Sequence, residues 1–369
     1  MRVLVFTPSY PRYPGDYHGS FIQTLCSRLA RHVDLTVLAP RSRTMRPFPE
    51  PYPVRRFPYL PWSSCELVAE RTMVDAPPGH LVQLPAYLAS AYLHSLMDSY
   101  HLVHTHLAIP MGVLAAHNPR GTPQLVTCHG SDCAQPSRNG CLAPAVRHAL
   151  RKADRVVAVS ETVRQQALRL GAQPERTETI YIGVDTERFR PPRKRRIPPT
   201  VGVLSRMVPD KRVEEILLAM RMLQRRVDAR LLIGGDGSHL PRLKDYASKL
   251  GLQGTSFLGR VHDAPKFHRL CDVHATASTC EGLSVSMQEA MASGCATVAA
   301  DTRSSRELVV DGVDGRLFRP GDIKCLSRCL EDAMGLPSLG VKARETVVAR
   351  FNVDKNYRQY LRAYEEAAG

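Results

Sequence analysis

Residues 272–300 read "DVHATASTCEGLSVSMQEAMASGCATVAA". "DVHATAS" at the front and "ATVAA" at the back have the composition of short buried strands, and the stretch between them predicts a helix that begins near Leu283. Strand, helix and strand in that order make a βαβ unit, and such a unit commits the chain to a parallel sheet. Inside it, Glu281 and Glu289 stand eight positions apart, with Gly282 and Ser284 beside the first. Glu281 lies just outside the predicted helix, and Glu289 about 9 Å further along its axis at 1.5 Å per residue.

The same alternation runs outward in both directions. "VLVFT", a helix candidate at 19–32, "DLTVLAP", "HLVHTHL", "PQLVTCHG", "RVVAVS" and "TETIYIGV" form one series. "TVGVLSRM", a helix at 212–225, "ARLLIGGDG", a helix at 239–250 and "GTSFLGRV" lead into the quoted stretch as a second. Between the two, residues 191–199, "PPRKRRIPP", bracket four basic residues with prolines, a linker composition. The expectation is an α/β chain of two doubly wound domains, 1–190 and 200–349, with a closing segment 350–369. A ligand is expected in the central cleft at the carboxyl ends of the strands.

At 369 residues the chain has room for two α/β domains, and 43% hydrophobic with 23% charged residues describes a globular protein rather than a disordered one. No apolar run reaches the roughly 20 residues of a membrane span. "RVLVFTPSYP" after Met1 reads as a core strand rather than a leader. The ten cysteines follow no framework spacing, which points to reduced thiols in the cytoplasm. The net charge of +15 favours an anionic partner. Residues 1–190 hold 21 Lys and Arg against 14 Asp and Glu.

The chemistry of the quoted stretch follows from its donors and acceptors. Backbone N–H groups gather at a helix start and accept phosphate or sugar oxygens. An ionised carboxylate is a pure acceptor, able to grip two neighbouring hydroxyls. Two carboxylates flanking an anion site therefore match a nucleotide sugar, in which ribose and hexose flank a diphosphate. Arg206 and Lys211, after the strand "TVGVL", supply cations that can neutralise a departing diphosphate. His129 follows "LVTC" at a strand end, and Gly19 and Ser20 precede the first helix, where backbone amides can approach a phosphate. His104 and His106 suggest zinc, but no third ligand follows at metal-site spacing.

With these residues in place the sequence resembles the retaining glycosyltransferases of family 4, which have the GT-B fold. "EGLSVSMQEAMASGCATVAA" is similar to their paired-glutamate signature, and "LSRMVPDKR" (204–212) to their diphosphate motif. "VTCHGSD" (126–132) is similar to the histidine-glycine loop, and "IYIGVDTERFRP" (180–191) to the segment entering the linker. "IGGDGS" and "FLGRV" match the nucleotide-side loops, and "DGVDGRLFRPGD" the late turn. The resemblance implies two Rossmann-like domains and a last helix that crosses back onto the first. It implies catalytic roles for His129, Glu281, Arg206 and Lys211, and donor diphosphate and sugar contacts from Gly19, Ser20, Gly282, Leu283 and Ser284. Glu289 would hold the ribose, and Gly235, Arg260 and Val261 would lie beside the base. Two positions depart from the pattern: Ile182 stands where asparagine is common, and "DTRSSREL" lacks a glycine pair before Glu307.

The expected activity is transfer of a hexose from a UDP- or GDP-sugar to the hydroxyl of a glycan or lipid-linked acceptor, with no metal and no other cofactor. No aspartate pair of the D-x-D type lies where a cation would bridge phosphates. Rival readings are a sugar-nucleotide epimerase or hydrolase of the same fold, a basic nucleic-acid-binding protein, and a non-catalytic relative. Only "RKRR" clusters the basic residues, which argues against nucleic acid. Residues 41–62, "RSRTMRPFPEPYPVRRFPYLPW", mix Arg55 and Arg56 with aromatics and Trp62, a composition suited to reversible docking on an anionic membrane surface. The expected location is the cytoplasm, with that docking on its membrane face.

Overall fold

The computed structural model describes residues 1–46, 48–59, 82–134, 140–192 and 198–369. Trp62 and the basic run 193–196 lie outside the described residues. The chain divides into two units, Met1–Gly183 with Asp354–Gly369, and Val184–Val353.

In the first unit the sheet order is β3 (Val54–Phe57), β2 (Asp34–Pro40), β1 (Arg2–Phe6), β4 (Leu102–His106), β5 (Gln124–Cys128), β6 (Arg155–Ala158), β7 (Thr177–Thr179). Every pairing is parallel, with Val3 opposite both Leu35 and Leu102. β4 and β5 are buried along their whole length, as expected of central strands covered by helices on both faces. The helix Val353–Ala368 returns to this unit, where Tyr360, Ala363, Tyr364 and Ala367 join Val3, Val5, Leu25 and Leu29 in one core. Those four positions recur at helical spacing and form one apolar face.

The second unit repeats the plan. Its order is β10 (Thr255–Gly259), β9 (Arg230–Gly234), β8 (Thr200–Leu204), β11 (Val273–Thr276), β12 (Ala296–Ala300), β13 (Arg316–Phe318), again with parallel pairing. Both sheets reverse direction of growth beside their first strand, β1 against β4 and β8 against β11. Ligands of doubly wound sheets bind outside the carboxyl ends at such reversal points.

The first unit closes at Gly183, short of the boundary expected at 190. Val184 donates to Phe351 O at 2.8 Å and accepts from Val353 N at 3.1 Å, while Arg344 donates to Phe189 O at 2.9 Å and Thr186 O at 3.3 Å. These bonds tie residues 184–189 to the second unit, and no local sequence signal announces them. Among the described residues, no helix is long and apolar enough to cross a membrane. Arg55 pairs with Asp98, and Arg56 donates to Pro11 O and lies over the Tyr10 ring, so both arginines are engaged within their own unit.

Candidate active site

At the carboxyl ends of β8, β9 and β10 three loops interlock. Ser205 N donates to Gly234 O at 3.1 Å, Met207 N to Asp236 O at 2.9 Å, and Gly235 N to Gly259 O at 2.7 Å. Gly235 carries φ +126°, and a Cβ built there would stand 1.8 Å from Ser205 O. Only glycine permits that approach. Arg206 is exposed on the first loop, Arg260 lies 4.0 Å from Asp236, and Val261 packs against Gly234, where an added Cβ would meet its Cγ2 at 2.7 Å. The two motif loops expected on the nucleotide side are therefore neighbours in space as well as in pattern.

Lys211 ends a short 3₁₀ turn, Pro209–Lys211, and donates from Nζ to Glu281 Oε1 at 2.5 Å. Both side chains are largely buried, with 18% and 17% exposed. Burial alone pushes the Glu281 carboxyl up, but the Lys211 ammonium bonded to it outweighs burial and holds Glu281 below its ordinary value. Leu283 is buried, and the helix begins two residues later than expected, at Val285 with Ser284 as its N-cap. The Ser284 hydroxyl caps no backbone N–H. Thr276, Ser278, Glu281, Ser284, Met287, Ser304, Ser305 and Leu308 line a shallow depression beside this helix start. Four of those eight side chains bear hydroxyls that the sequence reading did not single out: Thr276, Ser278, Ser304 and Ser305. Their only signal is the small-residue bias of "TASTC" and "TRSS".

Glu289 sits in the second turn of the same helix, between buried Met287 and Met291. Burial pushes its carboxyl up to about 7, against a smaller opposing pull from Arg188. The two glutamates thus have opposite electrostatic settings, one held ionised by a lysine and one poised near neutrality.

In the first unit, Gly19 caps the helix Ser20–Leu29 with φ +71°, and a Cβ there would meet Ser9 O at 2.5 Å. Ser20 N donates to Tyr17 O at 3.3 Å, a long bond within its own loop. His129 follows β5, where its backbone N–H donates to Asp132 Oδ1 at 3.0 Å. Its Nε2 is 2.9 Å from His106 Nδ1, and its Nδ1 is buried without a partner among the described residues. Burial lowers its pKa to about 4, so the ring is neutral at pH 7. The strand histidines are taken up internally: His104 bonds Tyr364 Oη at 2.7 Å and Thr127 Oγ1 at 2.8 Å.

The family described as "Glycosyltransferase Family 4" matches residues 18–188, and "Glycosyl transferases group 1" matches residues 184–350. Together the two matches run without a gap from residue 18 to residue 350. The chain is a family 4 glycosyltransferase. The GDP-mannose-dependent alpha-(1-6)-phosphatidylinositol monomannoside mannosyltransferase of Mycobacterium tuberculosis is 27% identical over 391 aligned positions, covering 96% of this glycosyltransferase and 95% of the relative. Two solved structures share the GT-B fold. Anabaena Alr3699/HepE, in complex with UDP and glucose, has a TM-score of 0.74 at 21% identity, with 99% of each chain covered. Sucrose-phosphate synthase of Thermosynechococcus elongatus has a TM-score of 0.81 at 18% identity, covering 99% of this glycosyltransferase and 98% of the synthase.

Cys128, Asp132 and Cys133 of the glycosyltransferase bring three ligand atoms within 4.8 Å of one another. Asp132 is committed to the backbone, accepting from His129, Gly130 and Ala108. Its place is that of a staple holding the histidine loop against the end of β4.

Proposed function

We propose that this glycosyltransferase moves a hexose from a UDP- or GDP-sugar to an acceptor hydroxyl with retention at the anomeric carbon. One observation carries the reading: the Lys211–Glu281 pair stands beside Gly282 and Ser284 at a helix start, with Glu289 one turn inside that helix. An ammonium has three N–H donors, so the bond to Glu281 leaves capacity for phosphate oxygens. Arg206, Lys211 and the amides of Gly282, Leu283 and Ser284 stabilise the charge that grows on the departing diphosphate. Glu281 orients the hexose and Glu289 accepts from the ribose hydroxyls. Gly235, Arg260 and Val261 border the base. In the first unit, His129, neutral at working pH, Gly19 and Ser20 are the candidates for sugar and phosphate contacts. No side chain is assigned as a covalent nucleophile; the acceptor attacks from the face the diphosphate leaves. Both nucleotides stay in the reading because the Mycobacterium relative is named for GDP-mannose and the Anabaena structure holds UDP. The acceptor is a glycan or lipid-linked hydroxyl, the latter in keeping with the phosphatidylinositol monomannoside in that relative's name.

The test is a thermal-shift screen of UDP-, GDP- and ADP-sugars, in which the true donor raises the melting temperature by mass action. Calorimetry with the bare nucleoside diphosphate then orients the donor. Glu289→Ala is expected to weaken that binding, whereas Glu281→Ala impairs the sugar-bearing donor and spares the bare diphosphate. The reverse pattern means that the donor lies the other way round. Release of free diphosphate with no acceptor present indicates a hydrolase or epimerase of the same fold.

The cationic pair also replaces a metal bridge in this reading, so activity is expected to survive EDTA. Complete loss that Mg²⁺ or Mn²⁺ restores assigns the phosphate charge to a cation instead.

A further inference from the structure

His268 belongs to the helix Ala264–His268 and is wholly buried, yet neither ring nitrogen has a hydrogen-bond partner among the described residues. A buried imidazole left unpaired is costly and calls for a reason. Its Nε2 points at Glu289 Oε2 from 3.6 Å, just beyond hydrogen-bond range. The ring is held by aromatic neighbours from three directions: Phe267 at 5.5 Å, His274 of β11 at 5.6 Å and Phe189 at 6.1 Å between centroids. It is thus fixed in place beside a carboxylate it does not quite reach.

We propose that His268 is a positioning residue for Glu289, donating Nε2–H to the carboxylate when that group ionises to accept ribose hydroxyls. The proposal rests on the ribose reading of Glu289. A neutral imidazole suits both states of its partner, since it accepts from a carboxylic acid and donates to a carboxylate after a change of tautomer. His268 stays neutral because burial lowers its pKa to about 3. The other groups facing the pair leave it this task. Arg188 is exposed and pulls the Glu289 carboxyl down only in part. His274 is neutral, its pKa lowered to about 3 by burial, and the Cys271 thiol is pushed up to about 12. Cys295 donates its thiol to His268 O and Cys271 O, each at 3.3 Å. A leucine at 268 removes the donor, and Glu289 then keeps its proton to higher pH.

The experiment is calorimetric titration with bare UDP and GDP between pH 6 and 9. For the unaltered enzyme the affinity of the nucleotide that binds is expected to rise with pH as Glu289 ionises. In His268→Leu the affinity at pH 7 falls about tenfold, the size of a lost hydrogen bond to a charged group. The midpoint of its pH profile moves up, and affinity at pH 9 recovers. His268→Gln, which keeps an N–H donor, retains the original midpoint. The melting temperature of His268→Leu does not fall, because two unpaired buried nitrogens are removed. Should that variant fail to fold, His268→Asn, too short to reach Glu289, takes its place against His268→Gln. An unchanged pH profile, or a loss of affinity equal at every pH, overturns the role of His268 and leaves the ribose site standing. Undiminished binding in Glu289→Ala overturns both.

Discussion

Lys211→Ala is expected to lower turnover by about 10²-fold or more, the usual cost of deleting a charge that stabilises a transition state. It is also expected to destabilise the second unit, because Glu281 loses the cation it pairs with while staying largely buried. The pH dependence separates the two effects. Glu281 is held below its ordinary value in the folded chain, so the pairing stabilises the fold above the ordinary glutamate range and fades as pH falls through the folded value. The gap in melting temperature between parent and variant is therefore widest at neutral pH and closes in acid. Glu281→Gln in the Lys211→Ala background is expected to restore much of the stability and none of the turnover. Near-normal turnover in purified, folded Lys211→Ala removes Lys211 from the diphosphate site.

The second large effect is structural. Gly235→Ala places a methyl group 1.8 Å from Ser205 O at a φ of +126°, and the obstacle is backbone rather than a side chain that can turn aside. The expected cost is about 4 kcal/mol or more, at the upper end for a single substitution. Urea unfolding measures it. Gly335→Ala is the control: it has open space around it at the end of the helix Ile323–Gly335 and is expected to be neutral or slightly stabilising. Equal midpoints for the two variants mean that the three strand-end loops are not locked together by this glycine.

Much of this architecture could be read in advance because its cause is local. The alternation of buried runs with amphipathic stretches placed both sheets, and the two glutamates marked the helix start between β11 and β12. What escaped the reading depends on partners far away in sequence. The expected helix at 212–225 is Val213–Leu223, with Arg212 in the left-handed region at φ +49°. The helix expected near Leu283 starts at Val285, after an N-cap, Ser284, whose hydroxyl bonds no backbone N–H of the helix. Residues 184–189 look like the tail of one domain and belong to the other because of Phe351 and Arg344, more than 150 positions away. His268 resembles any histidine in a short helix; its interest lies in two ring nitrogens left without partners among the described residues, a consequence of tertiary packing.

The helix that returns to the first unit makes order of synthesis matter. A ribosome delivers Met1–Gly183 first, but Tyr360, Ala363, Tyr364 and Ala367 of that unit's core emerge after all of the second unit. His104 receives its Tyr364 partner equally late. Domains generally fold as they are made, the amino-terminal one first. Here the unit that begins first is completed last, and the second unit can be fully formed while its predecessor still exposes an unfilled apolar groove. Released chains truncated before residue 354 should therefore carry a protease-resistant second unit beside a susceptible first one. Chaperones that cover apolar surface have their natural client in that interval.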